Sequence, residues 1–449
     1  MATLTWSFWK IKKETRFKMK FNEFPTSVIN ENVKYTRREI KEVIKKYGPR
    51  ESGNENCYDA QKHLKKELDQ FCDETHFEEY KMAPKAFLHF TKTVSVLVIL
   101  AVVVGLILVF AGVISFVVAE CIVGIVVAIS LFITAMEFLF YKQFTDVLYR
   151  KKVTGHNLVA TRKPKGEVKK RIVISGHIDA AYEWRHIYYG NGKLMTPLMA
   201  GTIGFAVVSL VVAIVAVIAN FVDMGSFGYF MINYAYYVHI ITALFMITLY
   251  MFIDFTTISP GANDNLTGTY AAVCALRMLD MAGVEFENTE VVAMITDGEE
   301  AGLRGAKAFA KEHHDEYTSD DVKTYVICCD TLTDLEYLNV YSKDMTGTVK
   351  NDQDVSDLVY NSAKEIGHKG MKYASVFFGS SDAAAFSQAG IKATCLAAMD
   401  PSPADYYHNR RDSYDRLVPK AIKTGFEVVL ASILNFDAEN EGAKNAEEE

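Results

Sequence analysis

Five places along this chain set carboxylates or imidazoles where apolar strand-like runs end or tight loops turn. After IVIS comes Gly176-His177-Ile178-Asp179, after VVAMIT comes Asp297-Gly298-Glu299-Glu300, and after YVICC comes Asp330. Two further groups lie in loops, Gly261-Ala262-Asn263-Asp264-Asn265 and Tyr406-Tyr407-His408-Asn409. Mixed nitrogen and oxygen donors of this kind ligate zinc and related divalent ions. Taken singly, each has an ordinary reading: Glu299-Glu300 as a solvated helix start, Asp264 as a tight turn, Asp330 as a turn residue, His408 as a surface histidine. The conjunction outweighs these readings, because three of the five fall at the carboxyl ends of strands, the edge where open α/β sheets bind ligands.

The elements that must carry these residues follow from periodicity. YTRREIKEVIKKYG, which stops at Gly48-Pro49, and NCYDAQKHLKKELDQF have helical spacing. HFEEYKM, HNLVATRK and KRIVISGHID read as strands. Beyond them TGTYAAVCALRMLDMAG, AGLRGAKAFAKEHH, SDLVYNSAKEIGH and KAIKTGFEVVLASILNF read as helices, alternating with the strands TEVVAMITD, VKTYVICCD and IKATCLAAM. Strands alternating with helices, several of them continuous apolar runs, predict an α/β fold with a mostly parallel mixed sheet flanked by helices.

The composition contains a second population. The chain has 449 residues, half of them hydrophobic, yet 23% charged. Between Lys92 and Lys142, and again between Lys193 and Arg277, there is no Lys or Arg. Each block is long enough for two spans of about 20 residues, predicting four transmembrane helices in two hairpins, at 93–142 and 198–255. Glu120 reads as the tip of the first hairpin and 220–230 as the loop of the second. The basic residues flank the hairpins and avoid their tips, which orients both termini and the catalytic segments toward the cytoplasm, in a cytoplasmic (inner) membrane. The seven cysteines show no paired spacing, as in a reducing compartment. A net charge of −7 offers no general attraction to nucleic acid, and no cleavable leader is visible. The opening MATLTWSFWKIKKETRFKMKF reads as a basic arm, over 1–34, and DAENEGAKNAEEE as an acidic tail, over 437–449. That leaves 35–92, 143–197 and 256–436 as one discontinuous catalytic domain.

The order HxD, GANDN, DGEEAGLRG, a strand-ending Asp and YH resembles the co-catalytic zinc exopeptidases of metallopeptidase family twenty-eight. That family includes leucyl-type aminopeptidases, glutamate carboxypeptidase and the glutaminyl cyclases. GPRESGNENCYDAQKHLKKEL, SSDAAAFSQAGIKAT and YYHNRRDSYDRL extend the likeness to nearly all of the chain outside the apolar blocks. The resemblance implies two zinc ions, or other divalent ions. It makes His177 and Asp330 terminal ligands of one and Glu300 and His408 of the other, with Asp264 bridging, Glu299 as general base and Asp179 orienting His177. A bridging carboxylate screens the repulsion of two close cations, and a separate carboxylate must take the proton of the activated water. Ala383, where many relatives have His, and Asn409, where many have Thr, bear on the substrate pocket and leave the ligands intact.

The function this implies is a membrane-embedded dizinc exopeptidase, an aminopeptidase acting on peptides, with the lipid bilayer as its other partner and the oligomeric state open. Glutaminyl cyclase or carboxypeptidase activity on the same fold is the nearest alternative. A non-catalytic receptor or scaffold is disfavoured by the complete ligand set. A transporter is disfavoured because the spans are read as lacking paired charges. The splice of the second hairpin between His177 and Asp264 predicts a site close to the membrane surface.

Overall fold

The computed structural model describes residues 19–439; residues 1–18 of the basic arm and 440–449 of the acidic tail lie outside the described residues. Its strands are β1 (Glu74–Met82), β2 (Val153–Arg162), β3 (Lys170–His177), β4 (Tyr182–Trp184), β5 (Ile253–Ile258), β6 (Thr289–Thr296), β7 (Lys323–Asp330), β8 (Leu338–Asp344), β9 (Val349–Lys350), β10 (Tyr373–Ser375) and β11 (Ala393–Ala398). The helices before β6 are α1 (Thr26–Tyr47), α2 (Glu55–Leu68), α3 (Ala86–Phe110), α4 (Phe116–Thr134), α5 (Arg185–Ala219), α6 (Gly225–Phe252) and α7 (Leu266–Ala282). After it come α8 (Arg304–Glu312), α9 (His314–Tyr317), α10 (Gln353–Glu365), α11 (Asp382–Gln388) and α12 (Pro419–Ala438).

The main sheet runs β1-β2-β6-β3-β7-β11-β8-β10, with β9 added beside β8. Its centre is parallel, β6 with β3, β3 with β7 and β7 with β11, and antiparallel pairs lie toward both edges. This is the mixed, mostly parallel sheet expected from the sequence. Burial on both faces explains the unbroken apolar strands. Ile172 and Ile174 of β3 pack with α1, α2, α7 and α12, whereas Val173 between them packs with α8 and α11. The short strands β8 to β10 were not legible as strands, because polar residues interrupt them.

Helices α3 to α6 are each long and apolar enough to cross a membrane. They pack through Val94, Val98, Val123, Val127, Ala206 and Met246 and leave Leu100, Ile107, Ile125, Val211, Ile214 and Leu244 exposed. Contiguous apolar surface of this extent is rare on water-soluble proteins. Two details differ from the sequence reading. The first hairpin turns at 111–115, and Glu120 lies in the second turn of α4, buried. Its Oε2 is 2.9 Å from Nε2 of His239 on α6, whose Nδ1 is 2.7 Å from the Ser209 hydroxyl of α5. A paired polar cluster therefore sits inside the apolar bundle, where none was expected. Glu120 and His239 lie 119 residues apart, so no local pattern announces the pair.

The second apolar block is entered through a helix that starts before residue 198. Its first helix starts at Arg185, breaks at Gly190-Asn191, where Asn191 takes φ of 56°, and contains Pro197. An antiparallel ribbon of β4 and β5 closes the base of this hairpin. That ribbon returns the chain to the sheet edge it left at His177.

Candidate metal centre

Parallel pairing sets the site. β3 and β6 run in register from Lys170 opposite Thr289 to His177 opposite Thr296, and Asp330 ends β7 opposite Ala397. His177, the turn after β6 and Asp330 therefore emerge at one edge. The fourth contribution comes from the loop before α7. Its approach depends on a backbone contact, since a Cβ on Gly176 would lie 2.4 Å from the carbonyl carbon of Gly268. Asn265 caps α7 by accepting from Gly268 N at 2.9 Å and donates to Cys329 O, tying the loop to β7. The fifth, His408, takes φ of 48° and is held by Trp184 N donating to its carbonyl at 2.7 Å.

All seven residues singled out in the sequence meet here. Asp264 stands at the centre: Oδ1 is 3.4 Å from His177 Nε2 and Oδ2 is 2.9 Å from His408 Nε2. Beyond them, His408 Nε2 is 3.4 Å from Glu300 Oε1 and His177 Nε2 is 3.8 Å from Glu299 Oε2. Donor atoms of His177, Asp264 and Glu300 lie within 4.8 Å of one another, as do those of His177, Glu299 and Asp330. Asp179 has a wider role than the sequence suggested. His177 Nδ1 is 3.1 Å from the Asp179 carbonyl and 3.5 Å from its carboxylate. That carboxylate instead accepts from Ser52 Oγ at 2.6 Å and from the backbone N–H groups of Glu299 and Glu300 at 3.3 and 3.1 Å. Glu299 and Glu300 thus lie in a turn gathered around Asp179, and α8 begins only at Arg304.

Sequence reasoning missed three supporting residues. The Asp412 carboxylate accepts from Asn263 N at 2.9 Å and Asp264 N at 3.0 Å. Arg50, fully buried, donates to the carbonyls of Ile178, Pro260 and Gly261, joining the two loops that carry His177 and Asp264. Asp382 is buried beside the site and accepts from Thr296 Oγ1 at 2.6 Å. Asp412 lies in the quoted run YYHNRRDSYD, but a contact reaching back 148 residues leaves no spacing signal.

The electrostatics are those of a cation site. Burial, followed by the charge of Asp264, pushes the carboxyls of Glu300 and Asp330 well above the usual carboxylate range. Glu299 rises mainly by burial, and Asp382 to about 6. Burial opposes charge on His177, but Glu299, Asp179 and Asp264 outweigh it and hold the imidazole well above 6.5. Burial likewise opposes ionisation of Asp264, yet His177 and His408 hold it below the usual range. Among the described residues, the ion pairs of Asp264, Glu299 and Glu300 go only to those two imidazoles. Glu300 Oε1, Asp330 Oδ1 and His408 Nδ1 are buried without a hydrogen-bond partner. Crowded carboxylates with orphaned oxygens, arranged about one carboxylate that faces two ways, fit divalent cations. The roof is apolar and aromatic, formed by Phe87, Leu88, Phe138, Tyr141, Trp184 and Tyr407.

The family model described as Peptidase family M28 matches residues 248–433, which hold Asp264, Glu299, Glu300, Asp330 and His408. The chain resembles peptidase family M28. Its fold is similar to BSAP, a zinc aminopeptidase from Bacillus subtilis, at 12% identity and a TM-score of 0.51, over 90% of this chain and 95% of that one. It is similar also to the LapA aminopeptidase of Legionella pneumophila, at 13% identity and 0.51, over 98% of this chain and 81% of that one. A glutaminyl cyclase from an Acidobacteriales bacterium matches at 12% identity and 0.52, over 94% and 97%. No curated protein matches the chain. The fold is thus similar to that of a zinc aminopeptidase, a second aminopeptidase and a glutaminyl cyclase.

Proposed function

We propose that this protein is a membrane-embedded dizinc aminopeptidase. One observation carries the reading: the two oxygens of Asp264 face different imidazoles, His177 and His408, with Asp330 and Glu299 toward the first and Glu300 toward the second. In this reading His177 and Asp330 would hold one zinc, Glu300 and His408 the other, and Asp264 would serve both. Two zinc ions held there would polarise the scissile carbonyl and lower the pKa of a water. Glu299, buried but outside that ligand set, takes the proton of the attacking water and returns it to the leaving amine. Asp179 positions both ends of the constellation, through the turn of Glu299 and Glu300 and through His177. The aromatic roof narrows the space over the carboxylates and keeps bulk water from them.

The catalytic part is one discontinuous domain interrupted by two membrane hairpins. The apolar exposed faces of α3 to α6 support membrane insertion, and the absence of Lys and Arg from the hairpin tips supports a cytoplasmic site. The test pairs Glu299→Gln with a panel of free and N-blocked peptides. Turnover of free peptides should fall by about 10²-fold or more, with zinc content unchanged. Cleavage restricted to blocked peptides overturns the aminopeptidase assignment, and conversion of amino-terminal glutamine without hydrolysis indicates cyclase activity.

A further inference from the structure

Two hollows flank the metal centre. One is lined mostly by aromatic and aliphatic side chains, Tyr337, Phe377 and Met399 among them, with Asn263, Asp334 and Asn339 among its polar members. The other is a cleft inside the bundle of α3 to α6, walled by Val94, Leu131, Ile203, Ala206, Met246 and Leu249. Leu88, Phe138 and Trp184 line both this cleft and the metal-centre hollow, so one layer of side chains divides them. The cleft presents few polar atoms. Thr91, Thr134 and Thr202 line it, but their hydroxyls donate to the carbonyls of Leu88, Ser130 and Leu198 on their own helices. Phe378 lines both flanking hollows.

From this shared wall we infer that the cleft is a substrate subsite taking a long apolar side chain of the terminal residue, threaded from the metal centre between the helices. The inference rests on the amide-hydrolase reading above and names its substrate class: peptides whose terminal residue carries an extended apolar group, with the remainder of the peptide in the opposite hollow. The ligand class follows from the walls. A polar side chain entering this cleft would lose its water for at most two unpartnered polar atoms of the lining residues, Ser130 Oγ and Trp184 Nε1, whereas each methylene buried there gains transfer free energy.

The test uses the full-length, detergent-solubilised protein and a series of amino-acid nitroanilides with unbranched side chains of increasing length. The wild type should gain about fourfold in kcat/KM per added methylene until the cleft is full. Ala206→Phe, and the milder Ser130→Leu, fill the cleft and should flatten that rise, cutting the ratio of long-chain to short-chain rates by about tenfold. Each variant is compared with wild type on the same substrates, which cancels partitioning into micelles. Binding is read separately. The tryptophans are Trp6, Trp9 and Trp184, so a W6F/W9F protein reports on Trp184 alone. A long-chain 2-amino acid brominated in its side chain should quench it, and Ala206→Phe should relieve the quenching. A flat series in the wild type, a rise preserved in both variants, or unquenched Trp184 overturns the inference. Relievable quenching with no turnover of any amide upholds the subsite and refutes the peptidase reading.

Discussion

Asp412→Ala removes the acceptor that positions the central carboxylate without touching a proposed ligand. The side chain is 1% exposed and takes hydrogen bonds from two consecutive backbone N–H groups, those of Asn263 and Asp264. Each buried donor left unpaired costs about 1–3 kcal/mol, so the loop faces a strain of about 2–6 kcal/mol. That is a large share of the roughly 5–15 kcal/mol that holds a domain together. The loop can relieve it only by turning its amides elsewhere, which moves Asp264 away from the point between His177 and His408. Zinc affinity should then fall by about 10–100-fold, as for other residues that orient metal ligands. Asp412→Asn keeps one acceptor oxygen but turns an amide donor toward the other N–H, so its loss should lie between wild type and alanine. The assay is competition for zinc against a chelating dye, alongside unfolding in detergent. Unchanged affinity in the alanine variant, or an asparagine variant weaker than alanine, refutes the reasoning.

Three more perturbations test other parts of the structure. Gly176→Ala drives a Cβ to 2.4 Å from backbone of Gly268, so β3 and α7 must part; a loss of about 1–3 kcal/mol or more with reduced zinc content is expected, and a neutral variant contradicts the contact. In the apolar bundle, a double-mutant cycle of Glu120→Gln with His239→Gln should give a coupling of about 0.6–1.7 kcal/mol, and zero coupling means the pair is incidental. His63, between Glu39 and Glu67, is raised by its bonds to them to about 10 from 6.5. The folded value lies above the unfolded one, so this contribution is complete below about pH 6.5 and fades as pH rises toward 10. Partial exposure keeps it small; His63→Ala should flatten the pH dependence of stability over that window, and an unaltered profile rules the imidazolium out.

Much of this architecture is legible in the sequence. The parallel strands end in His177 and Asp330 because apolar runs with no polar alternation must be buried on both faces, and their carboxyl ends must then share an edge. What escaped depends on distance along the chain. Arg50 is an ordinary surface type, and only the fold shows it buried between three carbonyls. Glu120 reads as a turn because a lone carboxylate in an apolar run belongs near water, until His239 arrives from another helix. Asp179 looked like the partner of its neighbour His177, yet its carboxylate chiefly holds the turn of Glu299 and Glu300, 120 residues away.

In the proposed mechanism Asp264 joins two zinc ions. Zinc counted per chain by elemental mass spectrometry, on wild type and Asp264→Ala purified side by side, tests it directly. Two zincs in the wild type and none in the variant are predicted; a single zinc in the wild type, or two retained without Asp264, contradicts the account.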